Sequence, residues 1–242
     1  MSQKTLWIYG DHAVMHALSN PQRRLVRALT LTPENTQKIK AARPSLACQQ
    51  VDKRVFLDLF GPQAVHQGIC VEALPLPDVA LETFCEMKKP QLLLALDQVT
   101  DPHNVGAIVR SAAAFGVTAI IMQDRHSPDQ LPLLAKTASG ALEHVQLICV
   151  VNLSRALDYL KEQGYWIAGL DERGDPLGKK TPPFPLVLVL GAEGKGLRPL
   201  VKKTCDLHLR LPTSETFSTL NVSNAAAVAL YACRAALPQE SA

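Results

Sequence analysis

Aromatic side chains are scarce. They make up 5% of the 242 residues, against 47% for apolar residues as a whole, so Leu, Val and Ala must do most of the packing. The six cysteines (Cys48, Cys70, Cys85, Cys149, Cys205, Cys233) include no C-x-x-C pair. That argues against a zinc centre or a dithiol redox site, and the thiols read as buried side chains in a reducing compartment. No apolar run reaches the roughly 18 residues of a membrane span. The opening MSQKTLWIYGDH lacks a basic region followed by a long apolar stretch, so no secretory signal is visible. A strong charge is missing too: the net charge of +3 is too mild to imply nucleic acid alone. Repeats and low-complexity tracts are absent. A cytoplasmic protein of one large or two modest domains, with no metal, is expected.

What is present falls into two patterns. Residues 1–74 mix short strands (LWIYG, LVRALTLT, VHQGICVEALPL) with helices (DHAVMHALS, opened by an Asp11 cap, and PENTQKIKAAR). This is a small α/β module. Residues 75–90 are Pro-rich, with room for one short helix, and read as a linker. From residue 91 to 242 the alternation is regular. QLLLALD, TAIIMQD, VQLICVV, YWIAGLD, PLVLVLG and LHLRLP are strands. Between them lie helices at 104–115, LPLLAKTASGAL, NLSRALDYLKEQG (capped by Asn152, ended by Gly164), GLRPLVKKTC and the closing NVSNAAAVALYACRAAL. Strands apolar on both faces and separated by helices predict a parallel sheet covered on both sides.

In such sheets ligands bind beyond the C-terminal strand ends, and three loops there stand out. In DQVTDPHNVGAIVR, Asp101 or Asn104 caps a helix that Pro102 enters. Val105, Ile108, Val109 and Ala112 form its core face, and Gly106, Arg110 and Ala113 another. Gly106, one turn before Arg110, leaves space above the guanidinium. The plain alternative for Arg110 is a solvated or ion-paired surface arginine. In LGAEGKGLRP, three glycines follow a buried strand in the order G-x-x-G-x-G. That order matches neither the dinucleotide fingerprint nor the P-loop, which disfavours a nicotinamide enzyme. Glu193 there is either an exposed loop charge or a holder of a substrate hydroxyl. In LRLPTSETFSTLNVSNAAAV, Asn221 is a plausible cap for an Ala-rich helix that another helix can approach closely.

These three segments, in this order, resemble the SpoU/TrmH family of RNA ribose 2′-O-methyltransferases of the SPOUT class. The family motif N-x-G-x-x-x-R matches Asn104, Gly106 and Arg110. G-x-E-x-x-G-L matches Gly191, Glu193, Gly196 and Leu197. A strand ending in Pro followed by S-L-N-V-S matches Leu211-Pro212 and TLNVS at 219–223. The N-terminal piece resembles the L30e-like RNA-binding domain of ribosomal members, through IYGDHAVMHALSNPQRRLVRAL and VHQG at 65–68. The whole is most similar to the branch that modifies a guanosine of 23S rRNA.

The resemblance implies a trefoil knot in the C-terminal segment, an exception to the rule against knots, and a homodimer with the closing helix near its interface. It implies S-adenosylmethionine as cofactor, held at Gly191, Gly196, Leu211, Leu220 and Leu170. It assigns Arg110, Asn104, Glu193, Asn221 and Thr219 to catalysis of methyl transfer to a ribose 2′-oxygen, with Arg110 as base in the family picture. Because guanidinium ordinarily keeps its proton, Arg110 can instead act as a fixed charge that binds phosphate and stabilises the developing alkoxide. Thr219 stands where the family usually has Ser. The hydroxyl remains but its rotamer is restricted, and activity is expected to survive. RNA is expected to meet Arg23, Arg24, Arg27, His66 and Gln67, with phosphates fixing register and unpaired bases giving specificity. Two other readings stay open: a tRNA-modifying enzyme, and a catalytically silent RNA-binding assembly factor.

Overall fold

The structure is a computed structural model and describes residues 5–87, 91–123, 131–179, 182–214, 216 and 219–237. The last residues of the expected linker (88–90), Asp124 at the end of the TAIIMQD strand and part of the polar loop before TLNVS (215, 217 and 218) lie outside the described residues. The chain runs β1 (Leu6–Tyr9), α1 (Asp11–Ser19), β2 (Leu25–Thr30), α2 (Pro33–Ala42), β3 (Cys48–Gln50), α3 (Lys53–Phe60) and β4 (Ile69–Ala73). It continues through α4 (Leu81–Met87), β5 (Leu92–Asp97), α5 (Pro102–Ala114), β6 (Ala119–Met122), α6 (Leu131–Ala138), a 3-10 turn (Ala141–Glu143) and β7 (Gln146–Cys149). Then come α7 (Leu153–Glu162), β8 (Trp166–Pro176), β9 (Leu186–Gly191), α8 (Pro199–Thr204), β10 (Leu207–Arg210) and α9 (Val222–Ala236). Among the described residues no helix is long and apolar enough to cross a membrane.

Two compact units form: Met1–Pro77 with His126–Glu143, and Asp78–Arg125 with His144–Ala242. The expected linker is therefore partly built into the second unit. Leu81, Phe84 and Cys85, spaced for one helical face, are buried in its core with Leu93, Ile121, Leu157 and Val187. The α6 segment groups with the first unit, which sequence order does not suggest.

The second unit holds the expected parallel sheet, in the order β10-β8-β9-β5-β6-β7. β5 is buried along its whole length and β9 up to its last residue, which is why their sequences show no alternation. β8 extends to Pro176, beyond the expected YWIAGLD. Its register against β10 jumps from Gly169↔His208 to Asp175↔Leu209. Gly174 permits this, because a Cβ there would lie 2.5 Å from the His208 carbonyl carbon. Asp101, rather than Asn104, caps α5: its carboxylate accepts from the His103 and Asn104 N–H groups. Asn152 and Asn221 cap α7 and α9 as their sequences suggest.

The first unit is a four-stranded sheet, β1-β4-β2-β3, with β2 and β3 parallel and the other pairs antiparallel. β3 and α3 are absent from the sequence expectation. α1 is not capped by Asp11, which is its first helical residue. The Asp11 N–H instead donates to the Gln67 side chain, 2.8 Å away. The expectation that Arg23 meets RNA is corrected. Its side chain is 4% exposed and pairs with Glu143, itself 3% exposed, at 2.5 Å. A third guanidinium nitrogen donates to the Leu74 carbonyl at 3.0 Å, and Asn20 donates to the same glutamate. With Nε and both terminal nitrogens engaged, Arg23 is part of the interior. Removing it leaves a buried carboxylate without its cation, so Arg23→Ala is expected to cost about 3–5 kcal/mol. Urea unfolding followed through Trp7 in a Trp166→Phe background measures this, and a loss below about 1 kcal/mol contradicts the assignment.

Candidate active site

The three marked loops converge in the second unit. Asn221 precedes α9, and its side-chain oxygen accepts from the Ser223 N–H (2.9 Å) and hydroxyl (2.6 Å). Its amide nitrogen must then face the other way. It donates to Asn104 Oδ1 on the first turn of α5 (3.1 Å) and to Glu193 Oε1 in the loop after β9 (2.6 Å). The Val222 N–H donates to the same Glu193 oxygen at 3.0 Å. One residue from each segment thus meets at one point.

This arrangement divides the roles of the site residues. Asn221 makes four hydrogen bonds within the protein, so it orients others. Glu193 keeps Oε2, and Asn104 keeps its amide nitrogen, without a partner among the described residues. A carboxylate oxygen accepts and an amide nitrogen donates, so the pair can hold a hydroxyl or a base edge. Arg110 is exposed on α5, and none of the described hydrogen bonds engages its guanidinium. Gly106, one turn before Arg110, is buried. Thr219 and Leu220 lie exposed immediately before Asn221.

The loop carrying Glu193 is held from beneath. Asp97 ends β5 and pairs in register with Gly191. It is fully buried, and both its oxygens are engaged by Arg198 at the far end of the loop. The Arg198 N–H donates to Oδ2 at 2.8 Å and its Nε to Oδ1 at 2.7 Å. The Arg198 Nη2 group reaches Gln123 Oε1 at 2.6 Å, beyond the end of β6. None of Asp97, Arg198 or Gln123 is in the sequence expectation. The available signal is the lone carboxylate closing LLLALD, because a charge at the end of a buried strand requires a partner.

The residues assigned to the cofactor separate into two kinds. Gly191 is a packing glycine: a Cβ there would lie 2.2 Å from the Gly196 carbonyl carbon and 2.5 Å from the Leu197 nitrogen. The loop folds back on itself at this point through a bridge between Ala192 and Gly196. Gly196, by contrast, has open space around its missing side chain. Leu170 and Leu211 are partly exposed and Leu220 is 43% exposed. Leu170 follows Gly169, which is level with Val189 on β9, and Leu220 is tied to the same loop through Asn221. Partly exposed apolar side chains and the open backbone at Gly196 are the chemistry that a ligand with a flat apolar ring and a polar edge requires. Nearby, a hydrogen bond from Lys202 holds the Asp171 carboxyl below the usual range, and burial pushes the Cys205 thiol up to about 12.

In the first unit the expected RNA contacts are not alike. Arg24 and Gln67 are exposed. The Gln67 side-chain oxygen serves α1, and its backbone is left-handed with φ 53°. The Nδ1 atom of His66 accepts from the Gly68 N–H at 3.0 Å. Its ring lies 4.7 Å from that of Phe56, and burial followed by the charge of Lys53 lowers its pKa. Both residues shape the loop at 66–68. Arg27 is half exposed and pairs with Glu72.

Residues 91–231 match the SpoU rRNA Methylase family, and residues 7–78 match the family of RNA 2′-O ribose methyltransferase substrate-binding domains. The 23S rRNA (guanosine-2′-O-)-methyltransferase RlmB of Pseudomonas putida is 36% identical, over 93% of this chain and 94% of its own. RlmB of Yersinia pestis is 37% identical, over 93% and 94%. Among solved structures, the SpoU methyltransferase AviRb of Streptomyces viridochromogenes in complex with AdoMet shares the fold. Its TM-score is 0.78 at 20% identity, covering 95% of this chain and 89% of that one.

The packing at Gly191 is directly testable. Gly191→Ala drives a methyl group into backbone and is expected to destabilise the protein by about 1–3 kcal/mol. An unchanged thermal midpoint contradicts that close approach.

Proposed function

The chain belongs to the SpoU rRNA methylase family, and on that premise we propose that it transfers a methyl group from S-adenosylmethionine to the ribose 2′-hydroxyl of a guanosine in 23S rRNA. The observation that carries the reading is the meeting of Asn104, Glu193 and Asn221, with Arg110 exposed and unengaged on the same helix as Asn104. An RNA-binding protein without activity has no need for such a constellation.

Leu170, Leu211, Leu220 and the backbone around Gly196 are the residues that would hold the cofactor. Bound there, S-adenosylmethionine supplies an electrophilic methyl group. The chain's own contribution is alignment and charge. The free oxygen of Glu193 and the free amide of Asn104 orient the ribose and base. The guanidinium of Arg110 binds the adjacent phosphate and stabilises negative charge developing on the 2′-oxygen as its proton leaves to solvent. Asn221 holds Glu193 and Asn104 in register, and Asp97 with Arg198 fixes the loop that carries Glu193.

The proposal includes the trefoil knot, supported by the tie between Asn221 and the 191–198 loop. It includes a homodimer through α9, whose Val228 and Tyr231 are 50% and 64% exposed, an apolar surface suited to a second copy. An enzyme acting on ribosomal RNA works where ribosomes are made, so the proposed location is the cytoplasm.

The test is transfer of labelled methyl from S-adenosylmethionine to total RNA, and to ribosomal particles, from cells lacking this protein. Wild type is run beside Arg110→Ala. Label at one 23S guanosine ribose with wild type, reduced at least about a hundredfold in the variant, is expected. Label in tRNA overturns the substrate assignment. No label in RNA or particles, with the cofactor bound, replaces the enzyme with the RNA-binding factor.

A further inference from the structure

The inference rests on reading the N-terminal unit as the RNA-binding part of the protein. The net positive charge lies there: residues 1–77 with 126–143 carry ten Lys and Arg against seven Asp and Glu, and the remaining residues fifteen against fifteen. Strand register puts Trp7, Glu72 and Arg27 in one row across β1, β4 and β2. The next row on that face, Tyr9, Cys70 and Leu29, is covered by α3, whose Phe56 and Phe60 pack onto it. That cover thins at the first row, where Phe60 meets Trp7 edge-on with centroids 6.3 Å apart.

Arg27 fills this end of the sheet in an unusual way. Its guanidinium carbon lies 5.4 Å from the centre of the Trp7 ring. Its Nε donates to Glu72 Oε2 at 2.7 Å, and the other glutamate oxygen accepts from the Thr5 hydroxyl at 2.7 Å. The guanidinium carbon therefore sits over an aromatic ring within cation–π range, and one edge is pinned by an anchored carboxylate. The side chain is nonetheless 52% exposed, and its terminal nitrogens have no hydrogen-bond partner among the described residues. An ordinary surface arginine has neither tether, whereas this one is held at Nε by Glu72 and over the Trp7 ring.

We propose that the Trp7–Arg27 stack seats one unpaired nucleotide of the RNA substrate. The base lies on the outer plane of the Arg27 guanidinium, and the terminal nitrogens donate to a phosphate or a base carbonyl. Unpaired bases stack readily on arginine planes and aromatic rings, whereas bases inside a duplex do not. The seat is tolerant of base identity, because every base offers a flat face.

The test uses full-length protein carrying Trp166→Phe, so that Trp7 is the sole tryptophan. The probes are a single-stranded oligoribonucleotide of about ten nucleotides and the same strand in a duplex. The single strand is expected to quench Trp7. Arg27→Lys keeps the charge but loses the plane, and is expected to weaken single-strand binding roughly tenfold while changing duplex binding less than about twofold. No response of Trp7 to the single strand overturns the seat. So does single-strand binding unchanged in Arg27→Lys, or an equal loss for both probes. Because this assay reads binding without methyl transfer, any of these results can stand beside an intact methyltransferase reaction.

Discussion

The side-chain amide of Asn221 is the interaction on which the rest of the site depends. Its oxygen is committed to starting α9, and that commitment turns its nitrogen toward Asn104 and Glu193. A helix cap of this kind contributes about 1 kcal/mol. Here the same group also sets the distance between two loops far apart in sequence. Helix formation and site geometry are therefore one event: α9 cannot begin elsewhere without releasing Glu193. The small side chains of α9 help by letting it lie close to α5, which brings Asn104 within reach.

A second constraint works from inside. Asp97 is a buried charge, and a buried charge is tolerated only when it is paired and hydrogen-bonded. Arg198 supplies both, and in doing so returns the loop that left β9 to the strand beside it. Gly191 allows the return because no side chain separates the two stretches of backbone. The loop is thus closed at its base by a charge pair and at its tip by the Asn221 amide. What remains unengaged is a carboxylate oxygen of Glu193 and an amide nitrogen of Asn104, with the Arg110 guanidinium exposed farther along α5 and Leu220 exposed before Asn221.

Much of this was legible in the sequence, for definite reasons. β5 and β9 are apolar throughout because both faces are covered, and the alternation with amphipathic helices such as α7 follows from the same burial. Asn104, Glu193 and Asn221 were singled out by the family motifs they resemble, because taken alone each also read as a helix cap or a loop charge. The misses also have physical causes. α3 and β3 are short, and their stability comes from packing onto the first unit's sheet rather than from local pattern. α4 is the one short helix for which the Pro-rich segment had room, and what the sequence did not show is that its Leu81, Phe84 and Cys85 enter the second unit's core. Arg23 was read as surface because a sequence does not say that Glu143, 120 residues away, arrives to neutralise it. Gln67 replaced Asp11 at the start of α1 for the same reason: its help comes from a distant loop.

The central claim is that Asn221 and Glu193 act as one unit. A double-mutant cycle of Glu193→Ala and Asn221→Ala, read in kcat/KM for methyl transfer to RNA, tests it most directly. The account predicts a coupling of about 1–3 kcal/mol between the two substitutions, with the double variant little worse than the poorer single one. Losses that add within about 0.5 kcal/mol would show that the two side chains act independently, and the hydrogen bond between them would not organise the site.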